Sequence, residues 1–353
     1  METIHQIFFK NSSRMDEIKS NTIDLILTSP PYPMIEMWDS LFSRLNEKIP
    51  LALQEGAAFK AFNLMHAELD KVWLEVARVV KSGGIICINI GDATRKINNN
   101  FQLFPNHVRI LQFFQNNGFI ILPSILWRKP TNSPNKFLGS GMLPTNAYVS
   151  LEHEYILIFR KGDDNRKFSP AFEVRYHSAY FWEERNKWFS DIWADFKGVT
   201  QKINNRIGIE EKVRERSAAF PLKLPYRLIN MFSIYKDTIL DPFWGKGTTS
   251  IAAMISGRNS IGYEINPEFL ESFKIDLKDI KNTSQLINNK RVKDHIEFIE
   301  NYEKKGKVAK YKATNYEFSV ITKQETEILL YSIKNHRVNE SKFTILYDKF
   351  ELE

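Results

Sequence analysis

The stretch from Thr238 to Glu264 limits the possible folds more than any other part of the chain. Thr238–Leu240 reads as a strand that ends at Asp241, followed by a turn with glycines at 245 and 247. Thr248–Ser256 then reads as a helix, Ser260–Tyr263 as a second strand, and Glu264 follows at once. Such a strand, Gly-turn, helix, strand and acid unit spans about 26 residues, close to the ~30 expected of a nucleotide-binding α/β unit. Glycines in the turn let backbone approach a ligand, and the helix N-terminus presents unpaired N–H groups. No Gly-Lys-Ser/Thr follows, which argues against a Walker-type phosphate loop, and Ser250 breaks the dinucleotide Gly-x-Gly-x-x-Gly spacing. The final acid is placed to accept from ribose hydroxyls.

The first third of the chain predicts more of the same sheet. Ile4–Phe9, Thr22–Thr28, Ile85–Ile90, Phe119–Trp127 and Glu154–Arg160 are strand-like apolar runs. Ser13–Lys19, Leu69–Val80 and Asn106–Asn117 read as helices, with Gly83-Gly84 as a helix stop. Pro267–Leu277 is a further helix. The predicted class is α/β, a Rossmann-like sheet with helices on both faces. From Lys161 to Arg216 charges and aromatics interleave without a period, which predicts an inserted recognition region. Its aromatics and arginines suit either a core with a solvated face or contact with a polyanionic partner. The predicted organisation is 1–160, 161–216, 217–277 and a C-terminal extension, 278–353, helical in part and without assigned chemistry.

Composition narrows the function classes. Hydrophobic residues at 43% exclude disorder as the dominant state. No apolar run reaches bilayer length and the N-terminus has no signal-peptide pattern, so a cytoplasmic protein without a membrane partner is expected. The 49 Lys+Arg against 42 Asp+Glu give +7, a charge that permits a polyanionic partner. A single cysteine, Cys87, excludes an internal disulfide or a Cys-rich zinc site. Glu152-His153-Glu154 has the look of a metal or acid–base cluster, but neighbours on a strand point to opposite faces and no other His or Cys completes a site.

A second motif, Thr28-Ser29-Pro30-Pro31-Tyr32, directly follows the buried strand. The prolines remove donors and stiffen the loop, leaving the Ser29 and Pro30 carbonyls able to accept from a ligand. Ser29 adds a hydroxyl and Tyr32 a flat face for stacking. With Phe243-x-Gly245-x-Gly247, this Ser-Pro-Pro-Tyr resembles the paired motifs of S-adenosylmethionine-dependent DNA amino-methyltransferases of restriction–modification systems. The target-base motif comes first and the cofactor motif last, similar to the circularly permuted beta-type order. WLEVARVVKSGG with IICINIGD, ILWRK, EYILIFRK and the segment from Ala218 to Ile229 are also similar to family segments, so the likeness covers most of residues 1–275.

The resemblance implies a cofactor, S-adenosylmethionine, held by Asp241, Pro242, Phe243, Gly245, Gly247 and Thr248, with Glu264 on the ribose and Phe220-Pro221 packing against it. Asn11 stands where the family usually has an acid for the adenine. Ser29, Pro30, Pro31 and Tyr32 are the implied catalytic residues. An exocyclic amino nitrogen is a poor nucleophile, because its lone pair is delocalised into the ring. Acceptance of its two hydrogens by Ser29 Oγ and the Pro30 carbonyl would draw it toward tetrahedral geometry for in-line methyl transfer. Tyr32 would stack on a base flipped out of double-stranded DNA. C5 methylation of cytosine needs a thiolate beside a proline, whereas Cys87 lies inside an apolar strand. Ser at position 29 favours cytosine N4, with adenine N6 as the alternative; a silent DNA-binding module and an RNA or protein amide methyltransferase are the other readings. A cognate restriction endonuclease is implied by the family alone, and monomer and homodimer remain open.

Overall fold

The computed structural model describes residues 1–129, 138–169, 172–196 and 220–352. Ten strands form one sheet: β1 Glu2–Phe8, β2 Ile23–Thr28, β3 Val80–Ile90, β4 Phe119–Arg128, β5 His153–Lys161, β6 Ile192–Trp193, β7 Thr238–Asp241, β8 Asn259–Tyr263, β9 Tyr331–Asn339 and β10 Lys342–Lys349. Their order across the sheet is β6-β4-β5-β3-β2-β7-β8-β1-β10-β9. β3, β2, β7, β8 and β1 run parallel. β5 runs against both of its neighbours, and β10 against β1 and β9.

Central strands buried on both faces read as unbroken apolar runs. Every residue of β2 is buried. Side chains alternate between faces: Ile26 joins one core with Trp73, Phe114 and Phe159, while Leu25 and Leu27 join another with Trp127, Leu224 and Leu228. The Ala58–Val79 helix covers the first face with Phe62, Met65, Leu69, Val72, Trp73 and Val76. Lys161 Nζ donates to the carbonyls of Ala77 and Val80 at 2.6 and 2.8 Å, satisfying its C-terminus. The helix Lys223–Phe232 covers the other face.

Two sequence expectations change. Ser13–Lys19 forms turns, not a helix. Gly83 and Gly84 lie within β3, which begins at Val80, and do not stop the helix. They form an irregularity in the β2–β3 ladder, where Ile23 pairs with Val80 and Leu25 with Ile85. Gly83 has φ +74°, and a Cβ at Gly84 would stand 2.8 Å from Val80 Cγ2. The segment 278–353, to which the sequence assigned no chemistry, contributes a hairpin that extends the main sheet. The preceding helix, Ile280–Lys304, packs beneath that hairpin: Ser284 Oγ accepts from Ile333 N at 3.2 Å and Asn288 Nδ2 donates to Tyr331 O at 2.9 Å.

In the region from Lys161 to Arg216, residues 170–171 and 197–216 lie outside the described residues, as do Ala218 and Ala219. Of its described aromatics, Phe181, Trp188 and Trp193 are buried and belong to the core. The short helix Trp182–Trp188 docks on the C-terminal helix through the Arg291–Glu184 ion pair, a 2.9 Å contact between His295 Nδ1 and Glu183 Oε1, and Trp182 stacked on Phe298. Among the described residues no helix is long and apolar enough to cross a membrane.

Phe343 of β10 is fully buried against Ile7 and Phe273. Phe343→Ala is expected to lower unfolding stability by about 3–5 kcal/mol, the usual cost of a buried phenylalanine. Chemical denaturation followed by circular dichroism measures it; a loss below about 1 kcal/mol would show the hairpin to be a separable addition.

Candidate active site

The sheet order reverses between β2 and β7, and the helices after these strands cover opposite faces. Such a switch point opens a crevice at the carboxyl ends of the strands. A cavity of about 710 Å³ lies there, in the range of small-molecule sites, ~300–1,000 Å³. Both sequence motifs converge on it. Its lining includes Ser29, Pro30, Pro31 and Tyr32 from the loop after β2, and Asp241, Pro242, Phe243, Gly245 and Thr248 from the turn after β7. Glu264, Asn11 and Phe220 also line it, whereas Pro221 and Gly247 do not.

The two glycines of the turn do different things. Gly245 has φ +53°, and a Cβ there would meet only Phe243 O at 3.9 Å, so this position faces open cavity. Gly247 has φ +78°, and a Cβ there would stand 2.5 Å from ring carbons of Phe273 and Trp244. Gly245 permits close approach of a ligand, and Gly247 locks the turn against the core. Glu264 braces the same turn: Oε2 accepts from Gly245 N at 2.8 Å and Oε1 from Asn266 N at 2.9 Å. A carboxylate has further lone pairs to offer a ligand. Burial raises the Glu264 pKa from its ordinary value. Asn11 Oδ1 accepts from Ser13 N at 2.8 Å, which shapes the loop after β1.

Asp241 ties the two motifs together. Its Oδ1 accepts from Thr28 Oγ1 at 2.6 Å and from Phe243 N at 3.1 Å; its Oδ2 accepts from Thr249 Oγ1 at 2.6 Å. Burial pushes its pKa up to about 6, against the opposing pull of these donors. An anionic group at one wall, a glycine cradle and apolar side chains such as Phe243, Leu69 and Val72 suit a cationic ligand with an aromatic part.

The Ser29 loop is held from below. Asn106 Nδ2 donates to Pro33 O at 3.1 Å and to Gly91 O at 3.0 Å, while His66 Nε2 pairs with Asn106 Oδ1 at 2.9 Å. At the cavity, Ser29 Oγ donates to Tyr32 Oη at 3.2 Å. Tyr32 Oη donates to Glu154 Oε2 at 3.1 Å and accepts from Asn89 Nδ2 at 3.0 Å. Asn89 Nδ2 also donates to Glu154 Oε2 at 2.7 Å, and Lys129 Nζ to Oε1 at 2.8 Å. Burial, then the nearby Glu154 carboxylate, raises the Tyr32 pKa well above its ordinary value.

Sequence reasoning set Glu154 aside with the Glu152-His153-Glu154 cluster and missed Asn89 and Lys129. The signal for Glu154 was an acid one position before the apolar run Tyr155–Phe159. As strand alternation requires, its neighbour His153 turns the other way, onto Tyr155, and Glu152 pairs with Arg128 at the surface. Among the described residues no group of three or more His, Cys, Asp or Glu could hold a metal ion. Cys87 is fully buried in β3, and burial pushes its thiol pKa up, away from nucleophilic use.

Residues 23–275 match the N6/N4 family model, described as DNA methylase. The chain belongs to this family. It is 51% identical over 352 residues, 99% of the chain and 96% of the relative, to the type II methyltransferase M.MthZI of Methanothermobacter thermautotrophicus. It is 53% identical over 275 residues, 75% of the chain and 88% of the relative, to the type II methyltransferase M.MjaI of Methanocaldococcus jannaschii. Among solved structures, a DNA modification methylase from Thermus thermophilus, named as putative and complexed with S-adenosyl-L-methionine, is 28% identical. It aligns with a TM-score of 0.59, covering 78% of this chain and 94% of that one.

Thr28→Val keeps the shape but removes one donor from Asp241. The Asp241 titration midpoint is expected to rise further above about 6. Carboxyl NMR measures it; an unchanged midpoint would show that the Thr28 contact does not control this group.

Proposed function

We propose that this DNA methyltransferase transfers a methyl group from S-adenosylmethionine to the exocyclic N4 amino group of cytosine at a specific site in duplex DNA. The observation that carries the reading is the convergence of two unlike poles on one cavity: the Asp241–Gly245–Glu264 cradle, and the Ser29-Pro30 segment, whose hydroxyl and carbonyl are able to accept hydrogen bonds. The cofactor is S-adenosylmethionine, which supplies an electrophilic methyl on a sulfonium. Gly245 leaves room for it, Asp241 offers negative charge, and Glu264 has lone pairs for its ribose. Asn11 and Phe220 stand at the same cavity, and Thr248 opens the helix that follows.

The chain's remaining task is to prepare the nitrogen. Ser29 Oγ and the Pro30 carbonyl take its two hydrogens, so the lone pair is withdrawn from the ring and turned outward. Pro31 stiffens the loop, and Tyr32 offers its ring face to a base extruded from the stack. Positioning and electrostatics account for the rate, and no covalent enzyme intermediate is needed. Serine in place of a carboxylate at position 29 supports cytosine N4. The relatives' type II names support a restriction–modification setting; a cytoplasmic location and a separate cognate endonuclease are part of the same proposal.

The test is incubation with S-adenosylmethionine and unmethylated genomic DNA, digestion to nucleosides and mass spectrometry. N4-methylcytosine is expected. N6-methyladenine would overturn the base assignment but keep the chemistry, and no methylated nucleoside would overturn the activity. Ser29→Ala is expected to cut the methyl-transfer rate by on the order of ten- to a thousandfold, with cofactor affinity nearly unchanged. An unchanged rate would remove Ser29 from the mechanism.

Cofactor affinity should also depend on pH. Asp241, with its pKa near 6, is neutral below that pH and anionic above it. Glu264 is shifted in the same direction. Binding of a sulfonium favours the ionised form, so affinity is expected to rise by about tenfold between roughly pH 5 and pH 7.5. Calorimetry measures this, and a flat profile would separate Asp241 from the cofactor.

A further inference from the structure

Hydroxyl groups can donate or accept, so the role of Ser29 depends on where its single hydrogen goes. The network behind it leaves one answer. Glu154 takes Lys129 Nζ on Oε1 and Asn89 Nδ2 on Oε2. An ammonium and an amide NH₂ only donate, and a carboxylate only accepts. The Tyr32 hydrogen therefore points at Glu154 Oε2. Tyr32 Oη already receives one hydrogen from Asn89, and toward Ser29 it has a lone pair to offer. Ser29 Oγ must donate to it, at 3.2 Å. The Ser29 hydrogen is thus committed inward, and its oxygen shows only lone pairs to the cavity.

We propose that Glu154, through Tyr32, fixes Ser29 as a pure acceptor and takes up the proton that the methylated amino nitrogen must lose. The proposal rests on the reading of Ser29 as the contact for the target amino group. As the nitrogen lone pair forms the C–N bond, the C–S bond breaks with its electrons left on sulfur, and the nitrogen becomes a cation. One of its protons passes to Ser29 Oγ, the Ser29 proton moves to Tyr32 Oη, and the Tyr32 proton moves to Glu154 Oε2. The carboxylate ends as a carboxylic acid, both hydroxyls are restored, and no tyrosinate forms. This route gives Tyr32 a part compatible with its raised pKa, because it is never left charged. The Lys129 side chain, which pairs with Glu154, is partly exposed, so the pair has a route by which the proton can return to water.

Packing explains why the network holds one arrangement. A Cβ at Gly91 would stand 3.0 Å from the Tyr32 ring and 3.3 Å from Glu154 Cγ, so the glycine after β3 lets the two side chains close on each other. Glu154 is a positioning residue and proton acceptor, distinct from Ser29, which touches the substrate.

The experiment compares single-turnover methyl transfer to duplex DNA by the full-length wild type, Glu154→Gln, Glu154→Ala and Tyr32→Phe. Glu154→Gln keeps the volume and removes the proton acceptor. It is expected to slow transfer by about a hundredfold, within the usual range for general acid–base groups, with cofactor and DNA dissociation constants within about threefold of wild type. Tyr32→Phe cuts the path without touching Glu154 and should slow transfer by a similar order. Formate at tens of millimolar should restore at least about tenfold of the rate to Glu154→Ala and nothing to Tyr32→Phe, a rescue that a purely structural role would not give. A Glu154→Gln rate within about twofold of wild type would overturn the proposal. So would failure of formate to rescue a Glu154→Ala protein that still binds cofactor. No methylated nucleoside from the wild type would instead sink the amino-transfer reading. An active wild type with unaffected variants would sink the inference alone.

Discussion

The Asp241 carboxylate stands at the one place where the fold cannot close on itself. β7 and β2 are neighbours, but their helices leave toward opposite faces, so the ends of these strands part and leave a crevice. Asp241 spans it. Its two oxygens collect hydroxyls from Thr28 on one strand and Thr249 on the following helix, and it caps the turn through Phe243 N. Burying a carboxylate is costly unless its lone pairs are filled. The three donors satisfy most of them, and the pKa still stands near 6. The Ser29 loop begins at Thr28, and the glycine turn begins at Asp241. The Thr28–Asp241 hydrogen bond therefore ties the Ser29 loop to the glycine turn, across strands already paired in the sheet.

A second polar thread runs through the molecule away from the cavity. Tyr347 Oη donates to Met254 O at 2.6 Å and lies 2.8 Å from Thr3 Oγ1. Thr3 meets His5 Nε2 at 2.9 Å, and His5 Nδ1 meets Ser260 Oγ at 2.8 Å. Ser260 Oγ donates to Ser250 Oγ at 3.0 Å, which also accepts from Trp244 Nε1 at 2.9 Å. Burial holds His5 neutral, with its pKa near 3. The thread joins the C-terminal hairpin, β1, β8 and the glycine turn. Satisfied buried networks of this kind specify register, because a slip of one residue would orphan each member. The hairpin also covers the edge of β1, which would otherwise expose unpaired backbone.

Local chemistry was the most legible part. The strand, glycine turn and helix around Asp241 were readable because Gly245 and Gly247 mark positive φ and because apolar runs mark buried strands. Boundaries moved by a residue or two at most strands. Gly83-Gly84 misled, since a glycine pair serves a strand irregularity as well as a helix stop, and only the ladder partners of β2 decide which. Ser13–Lys19 lacked the length for a helix to hold without tertiary support. The hairpin 331–349 was illegible because its partner, β1, lies over 300 residues away in sequence.

The sequence by itself determined the α/β class, the two motifs and most of the residue types that line the cavity, since these follow from local periodicity, glycine conformational freedom and side-chain inventory. Only the tertiary structure decided what those residues touch. It separated the cavity-facing Gly245 from the packing Gly247, and it placed Glu154, Asn89 and Lys129 behind Tyr32. It also made the C-terminal segment part of the sheet. Hydrogen-bond direction and strand pairing depend on partners distant along the chain, and no local pattern carries that information.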